Sequence, residues 1–79
     1  MKYVYIIRSL SVDNTFYTGV TDDVDARLRA HNAGRVSHTS KHMPWEMKTF
    51  VCFFDDNQAW AFERYMKSAS GRAFAKKRL

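Results

Sequence analysis

The chain has 79 residues and a net charge of +5, with a pI near 9.7, so it is sized for one small domain and its charge favours a polyanionic partner. No apolar run approaches the roughly 18 residues of a membrane span, and no stretch near the N-terminus reads as a signal peptide, so a cytoplasmic protein without a membrane segment is expected. One cysteine excludes an intramolecular disulfide, and a domain of this size buries only about 60% of its unfolded surface, so the core must come from six Phe, four Tyr and two Trp.

Residues 2–8, KYVYIIR, are rich in β-branched and aromatic types and predict a first strand. Tyr3, Tyr5 and Ile7 point to one side and Val4 and Ile6 to the other. Both faces are apolar, which predicts helices on one and a cleft on the other. Asp13-Asn14 supplies turn chemistry within 11–14, and 15–20 predicts a second strand returning antiparallel. A register that pairs Tyr5 with Tyr17 or its near neighbour brings both phenols to one face. A one-residue slip would separate them.

Thr21, Asp22 and Asp23 offer helix-start residues, with acids where the helix dipole favours them. A helix over 22–33 follows and is closed by Gly34. The segment GRVSHTSKHMPWE is a polar, basic loop carrying Arg35, His38, Lys41 and His42, with Pro44 at its exit. A third strand over 46–54 becomes apolar on both faces toward its end, and Cys52 in its VCFF run reads as a buried structural thiol. Asp55, Asp56 and Asn57 cap a second helix over 58–67, with Ala59, Phe62 and Met66 as its core stripe. The stretch 68–71 breaks it. Ser70 then caps a last helix over 72–79 that turns Phe74 inward and Arg72, Lys76, Lys77 and Arg78 outward. The order strand, strand, helix, strand, helix, helix predicts an α+β class fold: a small three-stranded antiparallel sheet flanked by helices, one domain over 1–79.

Two places break the apolar pattern. On the first helix Val24, Arg27, Leu28 and His31 share one face, yet half of that face is an Arg and a His. An unpaired guanidinium costs several kcal/mol to bury, so this face either borders a cleft or lets Arg27 snorkel. In the second helix Glu63 lies at the margin of the stripe. It is either an exposed acid paired with Lys67 one turn on, or the carboxylate of a hard-cation site, where one Glu with water and substrate phosphate can complete a Mg²⁺ shell. His38 and His42, four apart in a loop without any CxxC, fit phosphate contacts better than zinc.

Taken together, Tyr3-Val4-Tyr5, Tyr17-Thr18-Gly19, Arg27, His31 and Glu63 resemble the GIY-YIG nuclease superfamily over essentially the whole chain. The similarity is closest to short stand-alone bacterial members, which resemble the N-terminal nuclease domain of the excision-repair endonuclease. The resemblance implies hydrolysis of DNA phosphodiester bonds with one Mg²⁺ or Mn²⁺. By that resemblance Tyr5 activates the attacking water, Tyr17 contacts the water or the phosphate, and Arg27 stabilises charge on the phosphoryl oxygens. His31 stands near the nucleophile, Glu63 holds the metal, and Gly19 keeps room for an approaching backbone. Three positions depart from the family pattern: Val20 follows Gly19 where some members carry Lys, Tyr3 replaces the first Gly, and no Asn follows downstream of Glu63. Nucleic-acid contacts are expected from Arg35, His38, Lys41, Lys67, Arg72, Lys76, Lys77 and Arg78. The expected function is a metal-dependent endonuclease acting on branched or damaged DNA in repair or recombination. The alternative is a weakly active or inactive nucleic-acid-binding module of the same fold.

Overall fold

The computed structural model describes residues 1–79. Three strands, β1 (Lys2–Ser9), β2 (Phe16–Thr21) and β3 (Trp45–Phe53), form one antiparallel sheet in the order β2-β1-β3. The helices are α1 (Val24–Asn32), α2 (Asp56–Met66) and α3 (Ala69–Arg78), and a 3₁₀ turn at Ser40–His42 precedes β3. This is the β-β-α-β-α-α order and α+β class read from the sequence.

Because β1 is central, it is apolar on both sides, and Val4, Tyr5, Ile6 and Ile7 are all buried. The sequence suggested helices on one side only; they cover both. On the Tyr5 and Ile7 face, Val24 and Leu28 of α1 pack with Trp45, Tyr17, Met43 and Met47. On the Val4 and Ile6 face, Phe53 meets Phe62 of α2 at 5.3 Å between ring centroids, and Ala59 and Met66 are buried. A helix packs on each face, and at the β2 edge Tyr17 and Thr18 remain half-buried.

Local signals set the element ends. Asp23 caps α1 by accepting from Ala26 N at 3.0 Å. The helix closes with Gly34 N bonded to the His31 carbonyl and Arg35 N to the Ala30 carbonyl, at 3.2 and 3.1 Å. That double closure needs a left-handed residue after the cap, and Gly34 supplies it with φ of 75°. Asn32, the last residue of α1, clamps the start of β3: its side-chain amide donates to Trp45 O at 2.9 Å and its oxygen accepts from Trp45 N at 2.6 Å.

Several expectations are corrected. Ser68, not Ser70, caps α3, accepting from Gly71 N at 3.1 Å, so the helix starts earlier than 72. Phe74 is not turned into the core; it is 38% exposed and leans on Tyr65 at 6.1 Å. Cys52 is exposed rather than buried. The residues of α1 that reach the sheet pack over Tyr5 and Ile7, and the end of that face carrying Phe50 and Cys52 stays bare. The basic loop is also not simply solvated, because Thr39 within it is buried and its carbonyl accepts the Trp45 indole N–H at 3.0 Å. Finally, β3 carries a bulge: its register against β1 steps from Thr49 to Met47. Lys48 is left unpaired there and stands 5.8 Å over the Phe16 ring.

Candidate active site

The register between β1 and β2 sets the site. Tyr5 faces Gly19, and Tyr17 faces Ile7 two residues along. Two residues is one full side-chain period, so both phenols rise from the same face, with ring centroids 6.4 Å apart. The residue opposite Tyr5 is Gly19 for a steric reason. A Cβ there would lie 2.6 Å from Tyr5 Oη and 2.8 Å from Cζ. The crowding expected from an approaching backbone is therefore already exerted by the Tyr5 phenol itself.

The polar half of the α1 face lies over this phenol. Arg27 donates from Nε to Tyr5 Oη at 3.3 Å, and His31 Nε2 is 2.7 Å from the same oxygen. On its other side His31 Nδ1 is 2.7 Å from Thr39 Oγ1, which itself donates to the Val36 carbonyl at 3.2 Å. With the threonine proton committed to Val36, its oxygen accepts from Nδ1–H. The network thus assigns a neutral imidazole whose bare Nε2 accepts the Tyr5 proton. Burial, reinforced by the Arg27 guanidinium, lowers the His31 pKa to about 4. Burial also raises the Tyr5 phenol above its ordinary value, although the Arg27 hydrogen bond and charge pull the other way. Both groups are uncharged at neutral pH. Arg27 is partly buried, and its Nε is directed at the Tyr5 hydroxyl.

Tyr17 closes one side, its ring 5.2 Å from His31 and 5.8 Å from His38. Glu63 lies on α2, and its link to these residues runs through Lys67. Its carboxylate pairs with Lys67 at 2.7 Å, and the same ammonium sits 5.6 Å over the Tyr17 ring. The two readings of Glu63 made from sequence meet here. The ion pair one turn apart exists, but Glu63 is not an exposed acid, because its side chain is only 14% accessible.

No three His, Cys, Asp or Glu side chains gather anywhere into a metal-holding group. Glu63 carries one carboxylate, and it is paired with the Lys67 ammonium. A single hard oxygen donor suits Mg²⁺ or Mn²⁺ sharing its shell with water and phosphate, and does not suit a zinc site built from protein ligands.

The basic residues distribute unevenly. His38 and Lys41 line a hollow of about 410 Å³ with Tyr17, His42 and Trp45. Lys67, Arg72 and Lys76 line a longer groove of about 710 Å³ between β2 and α3, which meets the first hollow at Tyr17 and His38. Arg35, Lys77 and Arg78 are exposed but border neither. Sequence reasoning missed Phe16 and Lys48 in the groove, and Thr39 behind His31. Strand alternation, which puts Phe16 on the face opposite Tyr17, was the available signal for the first.

The three-stranded antiparallel sheet thus brings tyrosines from adjacent strands to a helix-borne Arg and His. The comparison with known families makes this specific: residues 1–78 match the GIY-YIG catalytic domain model, and the chain belongs to the GIY-YIG family, a nuclease superfamily. Its relatives include short stand-alone members. It is 36% identical over 66 residues to a UPF0213 protein of Lacticaseibacillus paracasei, spanning 82% of this chain and 72% of that one. With a UPF0213 protein of Haloquadratum walsbyi it shares 39% over 67 residues, spanning 84% and 73%. With one of Clostridium perfringens it shares 34% over 68 residues, spanning 85% and 71%. These names carry no activity of their own.

Proposed function

We propose that this chain is a divalent-metal-dependent endonuclease that hydrolyses DNA phosphodiester bonds, with Tyr5, Tyr17, Arg27, His31 and Glu63 as its catalytic set. The observation that carries the reading is the Tyr5 hydroxyl, which is hydrogen-bonded to His31 Nε2 at 2.7 Å and to Arg27 Nε at 3.3 Å.

With a raised phenol against an imidazole near 4, Tyr5 keeps its proton at rest. It therefore serves as a relay: its oxygen takes a proton from the attacking water while its own passes to Nε2. The negative phosphate brought in with the substrate stabilises the imidazolium that forms, and Thr39 holds the ring so that Nε2 faces the phenol. Arg27 is placed to neutralise charge growing on the phosphoryl oxygens, the effect that dominates phosphoryl chemistry. Tyr17 orients the water or the scissile phosphate. A divalent ion held by Glu63 would neutralise the leaving oxygen. The strand lies along the groove of Lys67, Arg72, Lys76 and Lys48 on one side and the His38 and Lys41 hollow on the other. Arg35, Lys77 and Arg78 add distant phosphate attraction. Two basic surfaces meeting at Tyr17 favour DNA that changes direction at the cut, such as branched or damaged duplexes in repair or recombination.

The test is cleavage of plasmid, duplex, flap and junction DNA with Mg²⁺ or Mn²⁺ by wild type, Glu63→Ala and Arg27→Ala. Metal-dependent nicking lost in both folded variants supports the reading, and greater activity on branched substrates supports the substrate class. Equal cleavage by all three proteins points to a contaminant. Tight DNA binding without any cleavage returns the chain to a binding module.

A further inference from the structure

We propose that Lys67 is the resident counter-ion of Glu63, filling the cation position of the free site, and that its ammonium moves to the substrate phosphate when a divalent ion takes that position. The proposal rests on the metal reading of Glu63 given above.

An exposed acid and lysine one turn apart on a helix are usually a weak surface pair. This pair differs in its burial: Glu63 is 14% accessible and Lys67 half exposed. Lys67 supplies the one ion pair of this largely covered carboxylate, at 2.7 Å from Oε2. The ammonium also stands 5.6 Å over the Tyr17 ring, and both residues line the basic groove. It therefore touches both the Glu63 carboxylate and a ring of the groove wall.

The backbone of Lys67 is held by hydrogen bonds, and its side chain is half exposed. Its N–H bonds the Glu63 and Arg64 carbonyls at 3.3 and 3.2 Å, and its own carbonyl accepts from Arg72 Nη1 at 2.7 Å. Beyond the β-carbon lie a flexible stem and a compact charge. A dication bound at this carboxylate repels the ammonium and weakens its pairing there. A substrate phosphate in the groove that Lys67 lines would offer the displaced ammonium a new partner. Such a site holds metal weakly when free and firmly once nucleic acid offers Lys67 a second partner. Metal and substrate thus become linked without any change of fold.

The experiment measures Mn²⁺ binding to the whole chain by electron paramagnetic resonance, without nucleic acid, for wild type, Lys67→Met, Lys67→Arg and Glu63→Gln. Lys67→Met is expected to bind Mn²⁺ about tenfold more tightly, Lys67→Arg no more tightly than wild type, and Lys67→Met/Glu63→Gln to lose the gain. At saturating Mn²⁺, Lys67→Met is expected to cleave DNA at least tenfold more slowly, with a salt slope lower by about 1. Amide spectra confirm that each variant is folded. If Mn²⁺ binding depends on Glu63 but is unchanged in Lys67→Met, the counter-ion role is overturned and the metal reading stands. If no protein shows Glu63-dependent Mn²⁺ binding, with or without a non-cleavable DNA, both are overturned.

Discussion

Gly19 faces Tyr5 across the β1–β2 ladder so closely that a single added methyl group would stand 2.6 Å from the phenolic oxygen. The small residue in the second strand thus sets where the hydroxyl of the first can lie, and through it the contacts to His31 and Arg27.

Gly19→Ala must therefore push the ring away from its imidazole partner. Overpacking of this kind costs about 1–3 kcal/mol, and chemical denaturation should show that loss. Cleavage should fall by about tenfold or more, because the relay oxygen is displaced while every charged group remains. Undiminished activity in a folded Gly19→Ala protein would contradict the placement of Tyr5.

Thr39→Val keeps the shape of the side chain but leaves His31 Nδ1–H without an acceptor in a buried site. An orphaned buried donor costs about 1–3 kcal/mol. Nitrogen-15 spectra of the imidazole should report a single neutral tautomer protonated at Nδ1 in the wild type, and a mixture in the variant. A wild-type ring protonated at Nε2 would reverse the proposed direction of the relay.

These two residues mark what the sequence could and could not disclose. Helical spacing alone put Arg27 and His31 on one face with Val24 and Leu28, and strand alternation alone allowed two phenols to share a side. Both are local periodicities, and the fold preserves them. Thr39 acts through a partner 8 residues away across a loop, and Lys67, whose pairing with Glu63 helical spacing had offered, also stands over the Tyr17 ring; only packing reveals these two contacts. Cys52 was misread for the related reason that an apolar run does not say how far the covering helix extends. Phe74 shows the same limit, since an aromatic residue on the last helix found only one aromatic neighbour to lean on.

The lowered His31 pKa makes stability fall with acid. Above about pH 6.5 the imidazole is neutral in both folded and unfolded chains and contributes no slope. Between about 6.5 and 4 the unfolded chain takes up a proton that the folded one refuses, so unfolding becomes easier as pH drops. The thermal midpoint should decline across this window more steeply in wild type than in His31→Gln. Parallel curves for the two proteins would show that His31 is not held neutral by the fold.

Lys48 and Phe16 form the wall of the groove that sequence reasoning overlooked, with the ammonium 5.8 Å over the ring. Lys48→Ala should lower the salt slope of DNA binding by about 1, in a Glu63→Ala background that prevents cutting. Phe16→Ala should weaken binding with that slope unchanged. If neither substitution alters binding, the strand does not run through this groove.

The most direct measurement compares wild type with Tyr5→Phe, which removes one oxygen atom and leaves Arg27, His31, Tyr17 and Glu63 in place. Single-turnover cleavage of DNA in Mg²⁺ or Mn²⁺ should fall by about a hundredfold or more, within the range of a positioned acid–base group, with the folded spectrum retained. Cleavage by Tyr5→Phe at the wild-type rate would show that the phenol bonded to His31 and Arg27 plays no part in the reaction.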